Sequence, residues 1–334
     1  SQVWARDDAT QQATLRERVE YGDGGTAAQP PEERAAMAAL NLLGRPRRHY
    51  DGAGRTEFLA CDLDGNVVRK ERRTVRDDSL LADDSLLAGW VPDWNGPASD
   101  AVLDARVYGT DLRFDALNRV RELRYPEDAA GHRGVLVPAY NAGGDLEAAE
   151  LDGITIVDRI AYDAKGRRIL IAYGNGLMTR QCYDPRSGHL LRLHTQGFVY
   201  GNGPALKPSG AVVQDVGYGY DTVGNITELD EHTPGSGISG SADGADRLRR
   251  VFGYDPLYRL VAASGREIDA GSGSAPWDEG PHGIDLSRPC RYQESYQYDD
   301  AGNIGTLAHT SFGTDGTPRT ANRHFDYAPG SNRL

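Results

Sequence analysis

Cysteine is scarce in this chain. The three present, Cys61, Cys182 and Cys290, are odd in number and far apart. They cannot form a disulfide framework, and without a C-x-x-C pair they do not outline a zinc site. Long apolar runs are missing too. Segments such as Ile169-Leu170-Ile171-Ala172 fall far short of the ~20 residues a membrane-spanning helix needs, so direct membrane insertion is not expected. The start, Ser1-Gln2-Val3-Trp4-Ala5-Arg6-Asp7, has no basic-then-apolar signal peptide. It begins without Met, as expected of a fragment or a processed chain, and Ser331-Asn332-Arg333-Leu334 forms no polar tail. Positive charge is in deficit: 37 Lys and Arg against 49 Asp and Glu leave a net charge of −12. Phosphate-backbone binding is disfavoured, and no nucleic-acid partner is expected.

Other features are abundant. With 41 Gly and 17 Pro, about one residue in six favours turns over a helical bundle. Tyr supplies 17 aromatic residues against 6 Phe and 4 Trp. Tyr fits a half-buried pleated surface, so the excess points to β structure. The 334 residues suggest about two domains or one large repetitive one. The beginning reads as the most helical part. Thr10 to Glu20 is expected as a short helix capped by Asp8 or Thr10 and ended near Gly22. A stronger helix opens at Pro31-Glu32-Glu33 and runs through Met37, Leu40 and Leu43 to Gly44.

From Tyr50 onward a pattern recurs. Tyr218-Gly219-Tyr220-Asp221-Thr222-Val223-Gly224-Asn225-Ile226 returns as Tyr296-Gln297-Tyr298-Asp299-Asp300-Ala301-Gly302-Asn303-Ile304. Further copies begin at Tyr162-Asp163 and Tyr50-Asp51, and looser ones at Cys61-Asp62, Phe114-Asp115, Tyr183-Asp184 and Tyr254-Asp255. A worn copy falls at Phe325-Asp326 or Tyr327. Asp makes up 34 of 334 residues, so chance would follow the 17 Tyr with Asp fewer than twice; the chain has six such pairs. This is a repeat, and its unit has a physical meaning. Tyr at alternate positions puts rings on one face of a strand. Asp starts a turn by bonding amides two residues on. Gly three residues later takes the left-handed conformation, and Asn118 substitutes for it in one copy. Tyr258 does not fit, and its turn is expected to differ. The alternating residues after Gly, as in Asn225-Ile226-Thr227-Glu228-Leu229, read as the return strand.

Each unit is therefore a β-hairpin, and stacked hairpins bury a shared face that a lone one cannot. The interval from Tyr162 to Tyr183 matches one hairpin and its link; longer intervals carry insertions or unmarked strands. One insertion holds Asp77-Asp78-Ser79-Leu80-Leu81-Ala82, repeated at once as Asp83-Asp84-Ser85-Leu86-Leu87-Ala88. Residues 235–245 and 270–283 read as mobile Gly/Ser-rich loops. The expected architecture is mainly β: a helical lead-in over residues 1–48, then a hairpin array with inserted loops over 49–334.

The Tyr-Asp-x-x-Gly-Asn/Arg pattern resembles the YD repeat of Rhs proteins. Longer phrases, including Asn41-Leu42-Leu43-Gly44-Arg45-Pro46, Ile171-Ala172-Tyr173-Gly174-Asn175-Gly176 and Gly265-Arg266-Glu267, look like the Rhs-type part of the B component of bacterial insecticidal toxin (Tc) complexes. The resemblance implies a spiralling hollow β shell that encapsulates a toxin polypeptide. It implies other Rhs-type toxin-complex chains, or the rest of its own shell, as partners beside the enclosed polypeptide. It implies a secreted, extracellular bacterial location. The chain shows no hypervariable toxin domain, self-cleaving aspartyl protease segment or propeller of that family, so the expectation is a section of shell wall.

Motifs that could carry chemistry have plainer explanations. Gly235-Ser236-Gly237-Ile238-Ser239-Gly240 matches G-x-G-x-x-G, but without the strand and helix a dinucleotide site requires. Asp62, Asp64 and Asn66 have calcium-loop spacing, yet Val67 and Arg73 stand where Gly and Glu are needed, so a turn is the simpler reading. His189 and His194 lie an odd number apart, on opposite faces of a strand. Cys61 takes the Tyr position of a repeat, where packing explains it. The recurring Asp residues are turn formers. Trp90, Trp94 and Trp277 fall in insertions and could stack on sugars. No catalytic, cofactor-binding or metal-ligating residue is assigned, and no cofactor is expected. The leading hypothesis is a non-catalytic shell segment; the alternative is an extracellular carbohydrate- or protein-binding repeat module.

Overall fold

The computed structural model describes residues 1–6, 12–24, 29–76, 93–95, 99–268, 289–313 and 316–328. Two compact units divide the chain, Ser1–Val157 and Asp158–Leu334. The first holds β1 (Gln2–Ala5), β2 (Thr14–Tyr21), α1 (Pro31–Ala39), β3 (Pro46–Asp51), β4 (Gly54–Cys61), β5 (Val67–Thr74), β6 (Tyr108–Phe114), β7 (Val120–Arg124), β8 (Val135–Tyr140) and β9 (Leu146–Leu151). β10 (Ile154–Tyr162) crosses the division. The second holds β11 (Arg168–Tyr173), β12 (Leu177–Tyr183), β13 (Leu190–Tyr200), β14 (Leu206–Tyr220), β15 (Ile226–Glu231), β16 (Leu248–Tyr254), β17 (Leu260–Ile268), β18 (Pro289–Tyr298), β19 (Ile304–Phe312) and β20 (Pro318–His324). The fold is mainly β, as the repeat arithmetic predicted.

Within each unit the strands pair antiparallel with their chain neighbours, β1 through β9 in the first and β11 through β20 in the second. Such a meander sends alternate connections to opposite ends of the strands. The Tyr-Asp turns use only every second connection, which is why strands without a motif lie between them.

The helix expected over Thr10–Glu20 is a correction: residues 14–21 are a strand. β1 and β3 flank β2 and take its backbone groups, and Leu15 enters the core at 1% exposure. The polar positions pair off: Arg18 with Glu20 along β2 at 3.0 Å, and across to β3 Glu20 with Arg48 at 3.7 Å and Glu17 with the His49 ring at 2.7 Å. Tertiary pairing outweighs the weak helical preference of Arg and Glu. The helix at Pro31 is present with Glu32 and Glu33 in its first turn, but it stops at Ala39, short of Gly44. Asn41 turns left-handed (φ 55°), and its amide donates to the Cys61 carbonyl at 2.9 Å, which ends the helix early.

Two apolar clusters anchor the first unit. Leu15, Tyr50, Val75, Trp94 and Leu103 form one; Met37, Leu42 and Cys61 form the other, with Phe58 and Val67 against it. In the second unit polar pairs join neighbouring strands. Arg192 and Asp215 meet in a bidentate pair at 2.6 Å, Arg247 and Asp230 at 2.8 Å, and Arg249 and Glu228 at 2.7 Å. Thr179 and Thr195 share a buried hydroxyl contact at 2.8 Å.

The Gly-rich stretch 235–245 is compact, contrary to the expectation of a mobile loop. Gly237 and Ile238 donate backbone bonds to Ala245 and Gly244, Ser236 is buried, and the Arg266 guanidinium donates to the carbonyls of Gly235, Ser236 and Gly237. One cation satisfies three carbonyls, which closes the loop onto β17. The loop over 270–283 and the duplicated hexapeptides over 77–88 lie outside the described residues.

Candidate functional site

The feature that recurs in this molecule is a five-residue turn. At Asp163, the carboxylate Oδ1 accepts the amides of Lys165 (2.9 Å) and Arg167 (3.0 Å), and Oδ2 accepts Nε of Arg167 (2.8 Å). The Asp163 amide donates to the Arg167 carbonyl, and the Gly166 amide to the Asp163 carbonyl. Gly166 has φ +75°. Asp115–Arg119 and Asp255–Arg259 repeat this set of bonds. In Asp62–Asn66, Asp221–Asn225 and Asp299–Asn303, the Asn amide takes the place of the guanidinium at 2.8–2.9 Å. Asp184 forms a version one residue longer, closed on His189.

The fourth position demands a left-handed residue. Asn118 (φ 59°) fills it, as expected. The turn at Tyr258 was expected to differ and does not: Tyr258 itself adopts φ 63°, because the Asp255–Arg259 bonds on either side hold it there. One expected copy falls away. Tyr50-Asp51 sits at the opposite end of the strands, where residues 52 and 53 alone reverse the chain and Asp51 pairs with Gly54. Its carboxylate reaches Arg72 on β5 (2.6 and 2.8 Å), while Arg55 turns to Asp100 and Glu57.

Two turns escaped the sequence search. Tyr140-Asn141-Ala142-Gly143-Gly144-Asp145 has the polar ends exchanged: Asn141 Oδ1 accepts the Asp145 amide at 3.0 Å, and its own amide donates to the Asp145 carboxylate at 3.4 Å. Allowing Asn and Asp to trade places would have found it. Asp128–His132 is the other, at the same end of the strands as Asp51.

Successive turns are joined to one another. In the first unit Asn66 donates to Asn118 Oδ1 at 2.8 Å, and the Arg119 guanidinium lies 4.6 Å over the Tyr140 ring. In the second unit Arg167 covers Tyr183 at 4.5 Å, and Arg259 covers Tyr298 at 4.6 Å. Tyr hydroxyls reach back to the carbonyl just past the preceding turn: Tyr140 to Val120, Tyr220 to Leu190, Tyr254 to Ile226, Tyr298 to Leu260 and Tyr327 to Ile304, at 2.7–3.1 Å. Tyr327, not Phe325, is thus the ring that continues the series.

These carboxylates are poorly suited to acid–base work. Bonds from Arg119, Arg167, Asn66 and Asn303 hold Asp115, Asp163, Asp62 and Asp299 below the ordinary carboxyl range. At Asp221 and Asp255 desolvation pushes upward, but hydrogen bonds to Asn225 and Arg259 outweigh it. A carboxylate with its lone pairs taken and its proton affinity lowered is a structural acceptor.

The other motifs separate. Asp62 of the calcium-like spacing is occupied by Asn66. His189 packs on Tyr220 at 4.5 Å, while His194 lies on β13 beside Arg180, where burial lowers its basicity. Cys61 and Cys290 are buried and Cys182 is exposed. Trp94 is 0% exposed, so it seals Tyr50 and cannot stack on a sugar; its indole donates to the Asp51 carbonyl at 3.1 Å. Trp90 and Trp277 lie outside the described residues. Among the described residues no group of three His, Cys, Asp or Glu side chains is placed to hold a metal ion. A cluster that no motif announced joins β17, β18 and β19: His309 stands 3.0 Å from both Glu267 and Glu294, with the Tyr292 ring stacked at 5.2 Å. The Tyr296 hydroxyl donates to Glu294 at 2.7 Å, and burial followed by that bond raises its pKa.

The chain is a meander whose alternate connections are interlocked Tyr-Asp turns, the arrangement that the resemblance to YD-repeat proteins implied. No family model matches the chain. The chain is homologous to bacterial toxin-complex subunits: it is 30% identical over 289 residues to toxin subunit YenC2 of Yersinia entomophaga, covering 83% of this chain and 28% of that one. Toxin subunit YenC1 of the same organism is also 30% identical, with 27% of its length covered. The chain therefore spans under a third of the curated relatives it matches. In three dimensions it is similar to the TcdB2-TccC3-Cdc42 structure (TM-score 0.70, 24% identity, 99% of this chain and 14% of that one). It is likewise similar to the Photorhabdus luminescens Tc holotoxin pore (TM-score 0.66, 25% identity, 96% and 14%). The fold is that of the Rhs-type part of these assemblies.

Proposed function

We propose that this chain is a wall segment of a secreted Rhs-type shell that encapsulates a toxin polypeptide and has no catalysis of its own. The observation that carries the proposal is the interlocked turn series. It spends the recurring Asp side chains on closing the turns, and Tyr hydroxyls and Arg guanidiniums on holding hairpins side by side, as a container wall needs and an active site does not. Homology to toxin-complex subunits favours the same role. On this reading residues 49–334 are the hairpin array and 1–48 lead into it, and the partners are the remaining shell and its enclosed polypeptide. The test is protease protection in the full-length native protein with its toxin component. The toxin should resist digestion while the shell is folded and be cut once the shell is unfolded. A toxin polypeptide digested equally fast with and without the folded shell would overturn the proposal.

A further inference from the structure

We propose that the β5–β8 face carries a binding groove for an acidic polypeptide segment in extended form. The groove is open, with a volume of about 1030 Å³. Arg69, Asp111 and Arg124 stand in one cross-strand row, and Arg113 and Glu122 face each other two positions further along the same face. Arg133 reaches over from the β7–β8 connection to Asp111 at 2.9 Å.

Four guanidiniums thus share three carboxylates, Asp111, Glu122 and, 3.8 Å from Arg69, Glu71. Asp111 serves Arg133 and, at 3.7 Å, Arg69; Glu122 serves Arg113 and Arg124, each at 3.5 Å. A well-made guanidinium–carboxylate pair closes to about 2.8 Å through two parallel bonds, so three of these four cations keep donors free. The side chains of Arg69, Arg113 and Arg124 are 60%, 74% and 46% exposed. The residues lining the groove include five Arg against Asp62, Asp111 and Glu122, a net charge of +2, on a chain whose net charge is −12.

Shape selects a polypeptide over a small anion. The groove spans β5 to β8, three strand spacings or about 14 Å, which an extended chain of about four residues covers. Val137, 43% exposed, lines it beside the cations and gives a side chain's stem an apolar contact. This assignment does not depend on encapsulation and stands or falls with the groove itself.

The test is fluorescence anisotropy of a labelled octaglutamate peptide titrated with the full chain. Its Gln counterpart and a thymidine octanucleotide serve as comparison probes. Octaglutamate should bind and weaken between low salt and about 0.5 M salt, where screening shortens to a few Å. Arg113→Glu with Arg124→Glu should weaken it about tenfold or more. Glu122→Gln removes a competing carboxylate and should tighten it about threefold, a gain that misfolding cannot imitate. Equal binding of the Gln peptide, or no change in either variant, would refute the groove. Tighter binding of the octanucleotide would refute it in favour of nucleic acid.

Discussion

The same dipeptide builds two different connections in this protein. Tyr162-Asp163 opens a five-residue turn whose carboxylate is consumed locally by Lys165 and Arg167. Tyr50-Asp51 lies at the opposite end of the strands and opens a two-residue reversal whose carboxylate is consumed at a distance by Arg72. Both keep the Oδ1 bond to the amide two residues on, from Lys165 and Ala53 respectively. They part at the next step. Gly166 looks onto open space, whereas a Cβ at Gly54 would stand 2.1 Å from the Arg73 carbonyl oxygen. Trp94 and Arg18 also close over Tyr50, at 5.1 and 4.2 Å. Asp with its neighbours proposes a turn, and the packing around it decides which turn is kept.

The comparison can be broken most directly at Trp94. Trp94→Ala should cost about 3–5 kcal/mol, seen as a lower urea midpoint, because its ring fills the cluster on Tyr50. An exposed Trp such as Trp4, 47% accessible, should tolerate the same change within about 0.5 kcal/mol. The glycine pair sharpens it further. Gly54→Ala meets backbone and should cost about 2–4 kcal/mol, against about 1–2 for Gly166→Ala, where only the left-handed conformation is penalised. Equal losses at the two sites would show that the close approach to Arg73 is not what shapes the first turn.

Acid should separate the regular turns from the rest. The carboxyls of Asp163, Asp115 and Asp299 are held below their unfolded values, so the folded chain binds fewer protons. Their contribution is therefore complete above the unfolded pKa, near 4, and is lost as pH falls through the folded value. Thermal midpoints between pH 6 and 3 should fall, and Asp163→Ala should flatten the fall. A wild-type midpoint that stays level over that range would remove the turn carboxylates from the stability of the fold. The smallest effect is a gain. Tyr258→Gly relieves a left-handed tyrosine that is 60% exposed, and should raise stability by about 1 kcal/mol.

Legibility followed distance along the chain. The turns at Asp115, Asp163, Asp221, Asp255 and Asp299 could be read because donor and acceptor lie four residues apart. Even Tyr258, which looked like an exception, obeys that local chemistry. Asn141 was missed only because its amide and the Asp145 carboxylate exchange roles. The misjudged cases answer to distant partners: β2 to β1 and β3, the 235–245 loop to Arg266, and Trp94 to Tyr50. The His309 cluster could not be read at all, since Glu267, Glu294 and His309 come from three strands and meet only through register.

From residue order alone came the class, mainly β and repetitive, and the placing of most Tyr-Asp turns. A carboxylate, an amide four residues on and one left-handed residue form a closed set of bonds that needs no help from elsewhere. Strand pairing settled the rest: which end of the meander each turn occupies, which carbonyl each Tyr hydroxyl finds, and how Arg69 and Arg133 meet at Asp111. Those contacts join residues tens of positions apart, and a register shift of one residue would turn each side chain to the other face.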